Sequence, residues 1–314
     1  MDTIDFKVFF QACFRYYGPA SAENRRPDFK RIGAEVGLSQ SEVESRILRF
    51  EEINLIRGYI AIPNVSLLLG YKLRTYLLPF PDPLSKGSAA ADLMLIDDII
   101  RIDEYLNSIA FTILYKGDAD IEQSLSKVAK LSGKAALSQE PLLLHESKAD
   151  VPGEQLPELH AIDWKVIRAL RSDSLKAPEI LAMEVGAPVD STVRSLKKLV
   201  DSNLLLVVPV TDEQKLASFT LYALLFIPDG STDLNTLVER LASALSERTY
   251  YRILSPSGAV IFLMSAKDSR EAEASYLRAQ KILGVKVALI DYAGKTYHSL
   301  KSIDRVIEEQ AKRQ

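Results

Sequence analysis

Apolar residues at Phe6, Phe9, Phe10, Cys13 and Phe14 recur at i, i+3, i+4, i+7 and i+8, the spacing of one buried helix face. Gly18-Pro19 ends that helix. A second helix is expected from Pro27, a residue suited to the first helical position, through Ile32, Ala34 and Val36 to Gly37. There glycine lets the chain leave in a left-handed conformation. A third helix follows, with Ser39 and Glu42 as a capping box and Val43, Ile47 and Phe50 as its apolar stripe. After Asn54 the pattern shortens to a strand over 56–62, and the three helices followed by a strand pair predict a winged helix-turn-helix.

The plan recurs. Ile4-Asp5-Phe6-Lys7-Val8 matches Ile162-Asp163-Trp164-Lys165-Val166 at an offset of 158. Glu35-Val36-Gly37 matches Glu184-Val185-Gly186, and Asn54-Leu55-Ile56 matches Asn203-Leu204-Leu205, both at 149. One nine-residue insertion in the first copy, between about Tyr17 and Phe29, reconciles the offsets. In the second copy Pro178 opens the middle helix, Val193, Leu196, Leu199 and Val200 line the third, and 205–210 is the strand.

Each trihelical unit is followed by a strand, helix, two strands, helix and strand. In the first copy these are 71–79, 88–99, 100–106, 109–116, 119–131 and 141–145. In the second they are 219–227, 234–245, 250–254, 260–265, 270–283 and 285–292. Both read βαββαβ, a ferredoxin-like unit. The expected fold class is α+β, a tandem repeat of winged helix-turn-helix plus ferredoxin-like domain. The expected domains are 1–66, 67–147, a Pro/Gly-containing linker at 148–158, 159–212, and 213–314 with a polar helical tail near 302–312.

The chain has 314 residues, 47% apolar and 26% charged, with mean hydropathy near zero. That is the composition of an ordinary globular protein of two or more compact units. A single cysteine, Cys13, excludes an intrachain disulfide and a cysteine-built zinc site. The three histidines are scattered, and no phosphate-loop, HExxH or GxSxG pattern occurs, so no cofactor, no metal and no enzymatic activity are expected. The longest apolar runs are too short to span a bilayer, and the start of the chain has no signal-peptide character, so a cytoplasmic location is expected. Net charge is −3, which gives no global signature of a nucleic-acid binder. Asp97-Asp98 and Asp103-Glu104 fall at a helix end and on a strand with no convergent partner, and Trp164 and Cys13 read as core.

The stretch Ala34-Glu35-Val36-Gly37-Leu38-Ser39, with Val43, Arg46-Ile47, Arg49-Phe50-Glu51-Glu52 and Leu55-Ile56-Arg57-Gly58-Tyr59, closely resembles the Lrp/AsnC family of transcriptional regulators. A helix-turn-helix followed by βαββαβ is that family's whole architecture, so the resemblance covers nearly the entire chain. It implies two protomers fused into an internal pseudo-dimer, or a homo-oligomer, that binds double-stranded DNA and answers to an amino-acid effector. The DNA contacts it implies fall on Ser39, Gln40, Ser41, Ser45, Arg46, Arg49 and, in the wing, Arg57. In the second copy they fall on Val189, Asp190, Ser191, Arg194, Lys197 and Lys198. Arg25 and Arg26, in the insertion, offer a further phosphate contact. Glu44 and Asp190 depart from the pattern by placing acids on the groove face. The family's effector turn corresponds to Ser257-Gly258, which no acid follows, and to Asn107-Ser108 in the first copy.

Two other readings belong beside this one. The acidic recognition helices suit a partner-binding or architectural protein that no longer touches DNA. Siroheme decarboxylases also resemble Lrp/AsnC proteins and occur as fused pairs. They carry His-Asn-Tyr in the second strand, where this chain has Ile100-Arg101-Ile102-Asp103-Glu104-Tyr105 and Tyr250-Tyr251-Arg252-Ile253.

Overall fold

The computed structural model describes residues 1–15, 18–80, 83–86, 88–131, 141–146, 156–212, 215 and 220–313. Most of the expected linker, with Pro152 and Gly153, lies outside the described residues, as do Tyr17, Pro81, Gly87 and Phe219. The chain is α+β, and its contacts gather into two compact units, each built from both sequence copies. One unit holds Met1–Tyr71, Ala149–Leu216 and Lys301–Gln314; the other holds Lys72–Lys148 and Ala217–Leu300.

In the first unit, copy one supplies α1 (Thr3–Phe14), α2 (Phe29–Val36), α3 (Gln40–Glu52), β1 (Ile56–Pro63) and the short α4 (Val65–Leu69). Asp28 rather than Pro27 caps α2, its carboxylate accepting the Lys30 and Arg31 amides. The residues that reveal the repeat are conformational punctuation. Gly37 and Gly186 end their helices at φ +74° and +68°. Asn54 and Asn203 hold φ +56° and +54°, a region asparagine tolerates better than most side chains.

Copy two supplies α8 (Ala161–Leu170), α9 (Pro178–Val185), α10 (Val189–Asp201) and β6 (Leu205–Thr211), and the chain ends in α13 (Lys301–Arg313). Among the described residues, no strand pair forms within either wing. Each copy contributes one strand, and β1 and β6 pair antiparallel with each other, Tyr59 opposite Pro209 and Ile60 opposite Val208. In the first copy the residues after the strand turn into α4, and the free edge of β1 finds its partner in the other copy. The helix α13 buries Ile303, Val306 and Ile307, and Asp304 accepts a hydrogen bond from Arg171 of the segment after α8 at 2.7 Å.

In the second unit, copy one supplies β2 (Lys72–Pro79), α5 (Pro83–Lys86), α6 (Ala89–Leu93), β3 (Ile99–Tyr105), β4 (Ser108–Tyr115), α7 (Asp118–Leu131) and β5 (Leu142–Glu146). Copy two supplies β7 (Thr220–Pro228), α11 (Leu234–Leu245), β8 (Thr249–Leu254), β9 (Val260–Ala266), α12 (Ser269–Gln280) and β10 (Val285–His298). The sheet order is β5-β2-β4-β3-β10-β7-β9-β8, two ferredoxin-like halves joined edge to edge. The join depends on the length of β10, whose first part pairs with β7 and whose last part pairs with β3, His298 opposite Arg101. At the far ends β5 and β8 approach, and Ser255 donates to the Leu143 carbonyl.

The sheet therefore curls into a nearly closed barrel. Strands β4 and β9 are buried at every position, so they read as continuous apolar runs rather than alternating ones. One face of each carries Phe111 or Phe262 into a helix-covered core; the other face lines the barrel's inside.

Candidate functional site

Two places could carry function: the third helices of the helix-turn-helix unit and the interior of the barrel. On α3, Ser39 is the N-cap, its hydroxyl donating to Glu42 at 2.6 Å, and Gln40, Ser41 and Ser45 are exposed. Arg46 binds the buried Asp5 of α1, and Arg49, largely exposed, lies 3.9 Å from the same carboxylate. On α10, Ser195 donates to Asp163 of α8 at 2.6 Å and Lys198 binds the same carboxylate. Asp5 and Asp163 are repeat equivalents, as are Arg46 and Ser195, and Arg49 and Lys198. Each buried acid thus clamps the first helix of its copy to the third. Val189, Asp190, Arg194 and Lys197 are exposed, and Arg194 donates to Ser191 at 3.3 Å.

The insertion's arginines turn inward. Arg25 is buried and donates to the carbonyls of Ser174, Lys176 and Ala22, tying copy one's loop to copy two's. Arg26 forks onto Glu51 at 3.0 and 3.1 Å, and Tyr59 donates to the same carboxylate. Burial pushes the Glu51 carboxyl up, but the bonds from Arg26 and Tyr59 and the Arg26 charge outweigh it and leave it below its ordinary value. Arg57 reaches the Thr211 carbonyl at 3.5 Å and Asp212 at 4.0 Å. The third helices thus present short polar groups and a few cations, interleaved with Glu42, Glu44 and Asp190.

The barrel encloses a cavity of about 360 Å³. Its wall is apolar over Leu77, Leu225, Ile253, Ile261, Leu263 and Leu289, and at one side sit Tyr105, Asn107, Ser108 and Asp291. The two oxygens of Asp291 accept the Asn107 amide at 2.8 Å and the Ser108 hydroxyl at 2.6 Å. Burial raises this carboxyl above its ordinary value against those bonds and the charge of Lys86. Ala223, opposite Asp291 on β7, is small enough to leave room over it.

Beyond Tyr105 lies a polar cluster. Arg101 forks onto Asp103 at 2.7 and 2.8 Å, Thr296 donates to Asp103 at 2.8 Å, and His298 is paired across from Arg101. Asp103, expected to stand alone on its strand, therefore has convergent partners. Arg101 comes from the same strand, and Thr296 comes from β10, 193 residues away. Burial first, then the Asp103 charge, pushes the phenols of Tyr105 and Tyr250 up. The Ser257-Gly258 turn lies between β8 and β9, with Gly258 at φ +84° and the Ser257 hydroxyl 2.7 Å from that of Ser255. It lies against β5 through Ser255 rather than beside an acid.

Asp291 escaped the sequence reading. Its signal was an acid two positions after Leu289 in an otherwise apolar strand. Among the described residues no cluster of histidine, cysteine or carboxylate side chains could hold a metal ion, and no helix is long and apolar enough to cross a membrane.

No family model and no curated protein matches the sequence. Among solved structures, some are similar to about half of this chain and others to nearly all of it. An AsnC family transcriptional regulator from Agrobacterium tumefaciens covers 44% of this chain and 91% of its own (18% identity, TM-score 0.32), and AsnC of E. coli covers 46% and 99% (11%, TM-score 0.36). The full chain is similar to the siroheme decarboxylase NirDL, with 99% of each chain covered, 13% identity and a TM-score of 0.52. Its complex with an iron-uroporphyrin III analogue gives 12% identity, 99% and 100% coverage, and a TM-score of 0.53. At these identities the likeness is one of fold. It nevertheless corrects the expectation that the chain is not an enzyme: the architecture shared from end to end is one on which an enzyme is built. The strands matched to the His-Asn-Tyr stretch hold no histidine, and β10 brings His298 opposite Arg101.

Proposed function

We propose that this chain binds a small, mainly apolar molecule inside the barrel, with Asp291 placed to exchange a proton with it, an enzyme on an Lrp/AsnC-like scaffold. The observation that carries this is the Asp291 carboxyl, oriented by Asn107 and Ser108 and held above its ordinary value inside an apolar cavity. A carboxyl so tuned in an apolar cavity suits general acid–base work. The volume of about 360 Å³ is near the low end of pockets for small molecules, roughly 300–1,000 Å³, and is small for a tetrapyrrole. The substrate named for NirDL is therefore not carried over. Native mass spectrometry of the purified chain, with a small-molecule library scored by thermal shift, tests the reading. Stabilisation that Leu225→Trp abolishes supports it; no stabilisation by any apolar compound refutes it.

A second reading, DNA binding by the third helices, draws on the exposed Gln40, Ser41, Arg194 and Lys197. Here the barrel ligand is an effector. Fluorescence anisotropy on random duplex DNA at two salt concentrations tests it. A log–log slope of about −0.9 per phosphate neutralised, reduced in Arg194→Ala/Lys197→Ala, supports it, and no binding at low salt refutes it.

A further inference from the structure

Resting on the barrel as a ligand site, we propose that the ligand is an apolar amine without a carboxylate, its ammonium group held by Asp291. Each oxygen of Asp291 already accepts one hydrogen bond, at 2.8 Å from Asn107 and 2.6 Å from Ser108. These fix the plane of the carboxylate and leave lone pairs for a donor above Ala223. The wall holds no lysine, arginine or histidine among its lining residues. Lys86 acts from outside that lining, its ammonium donating to the Tyr105 carbonyl at 2.8 Å, and Arg101 is already matched by Asp103. The cavity thus carries one half-buried carboxyl without a full counter-charge, and the further a carboxylate is withdrawn from water the more its ionised form gains from a pair. A ligand ammonium supplies that pair.

The same accounting sets the rest of the molecule. Leu225, Ile261, Leu263 and Leu289 offer contact to an alkyl or aryl body and nothing to a carboxylate. An amino acid would bring its own acid against this wall with no cation to meet it.

Isothermal titration calorimetry of the full chain at neutral pH compares phenethylamine, 2-phenylethanol and phenylalanine, on the wild type and on Asp291→Asn. The amine is expected to bind about tenfold or more tighter than the alcohol, as a hydrogen bond between charged groups requires. It should also bind tighter than phenylalanine. Asp291→Asn should bring the amine down to about the alcohol's affinity, and an unchanged circular dichroism spectrum with a cooperative melt shows that the variant is folded. Equal binding of amine and alcohol, or an amine affinity untouched in Asp291→Asn, overturns the amine assignment and leaves the cavity as a ligand site. Binding of none of the three overturns both.

Discussion

Asp163→Asn isolates the clamp between α8 and α10. The Asp163 side chain is 1% exposed, and its oxygens accept the His160 amide at 2.7 Å, the Ser195 hydroxyl at 2.6 Å and the Lys198 ammonium. Asparagine keeps the shape but has one acceptor oxygen, and its amide nitrogen faces donors. Removing one partner of a fully buried pair costs about 3–5 kcal/mol. Lys198 is 28% exposed and also reaches the Glu158 carbonyl at 3.1 Å, so it rehydrates in part. The expected loss is therefore about 2–3 kcal/mol, counting a weakened buried hydroxyl bond. Trp164, the chain's one tryptophan, is the next residue and is 3% exposed, so its fluorescence follows the unfolding of this unit alone. With a urea slope of about 2 kcal/mol/M the midpoint falls by about 1–1.5 M. Asp5→Asn should act alike through Arg46, and Lys198→Met should lower the midpoint too. Shifts under about 0.3 M for all three would refute the clamp and return these cations to an external partner.

Other outcomes follow from the same geometry. Gly33→Ala should destabilise the helix-turn-helix unit more than Gly37→Ala. Its Cβ would sit 2.5 Å from the Leu38 carbonyl oxygen, whereas Gly37 at φ +74° has open space around it; urea midpoints should rank them, with Gly37→Ala costing about 1–2 kcal/mol. Glu51 is ionised below its ordinary value in the fold, so its contribution is present above the unfolded value of 4.5 and is lost as pH falls through the lower folded value. Wild type and Glu51→Gln should therefore converge in stability on acidification, and parallel curves would contradict this. Asp291 is the opposite case, since a carboxyl raised in the fold destabilises it as pH rises above the unfolded value of 3.8. Without ligand, the stability of wild type relative to Asp291→Asn should fall as pH rises above that value, read from melting temperatures across pH. A gap between the two that does not fall with pH would refute the undercompensated carboxylate.

How much of this was legible depended on how far apart the cooperating residues lie. Helix faces, caps and turn residues act over three or four positions, so the spacing of Val43, Ile47 and Phe50, the Ser39–Glu42 box and the glycines at 37 and 186 could be read directly. The repeat was equally plain, because Asp5 and Asp163, Gly37 and Gly186, and Asn54 and Asn203 meet the same local demand twice. Even the two ferredoxin-like halves followed from strand and helix order. Cations were harder. Arg46 on a recognition helix has the same sequence pattern whether it faces phosphate or Asp5, and Arg25 in a polar loop gives no hint of the three carbonyls it reaches.

The sequence by itself determined the α+β class, the tandem plan and nearly every element, because those rest on contacts between near neighbours and on backbone conformation. Only the tertiary structure decided that the wings pair with each other, that β10 runs on past β7 to join β3, and that the two sheets curl around one cavity. Those outcomes depend on unpaired strand edges seeking partners from a segment some 150 to 190 residues away. The candidate site follows from that choice. Asp291 meets Asn107 and Ser108 only because strand edges from two copies close on each other, and no local pattern records which edge will meet which.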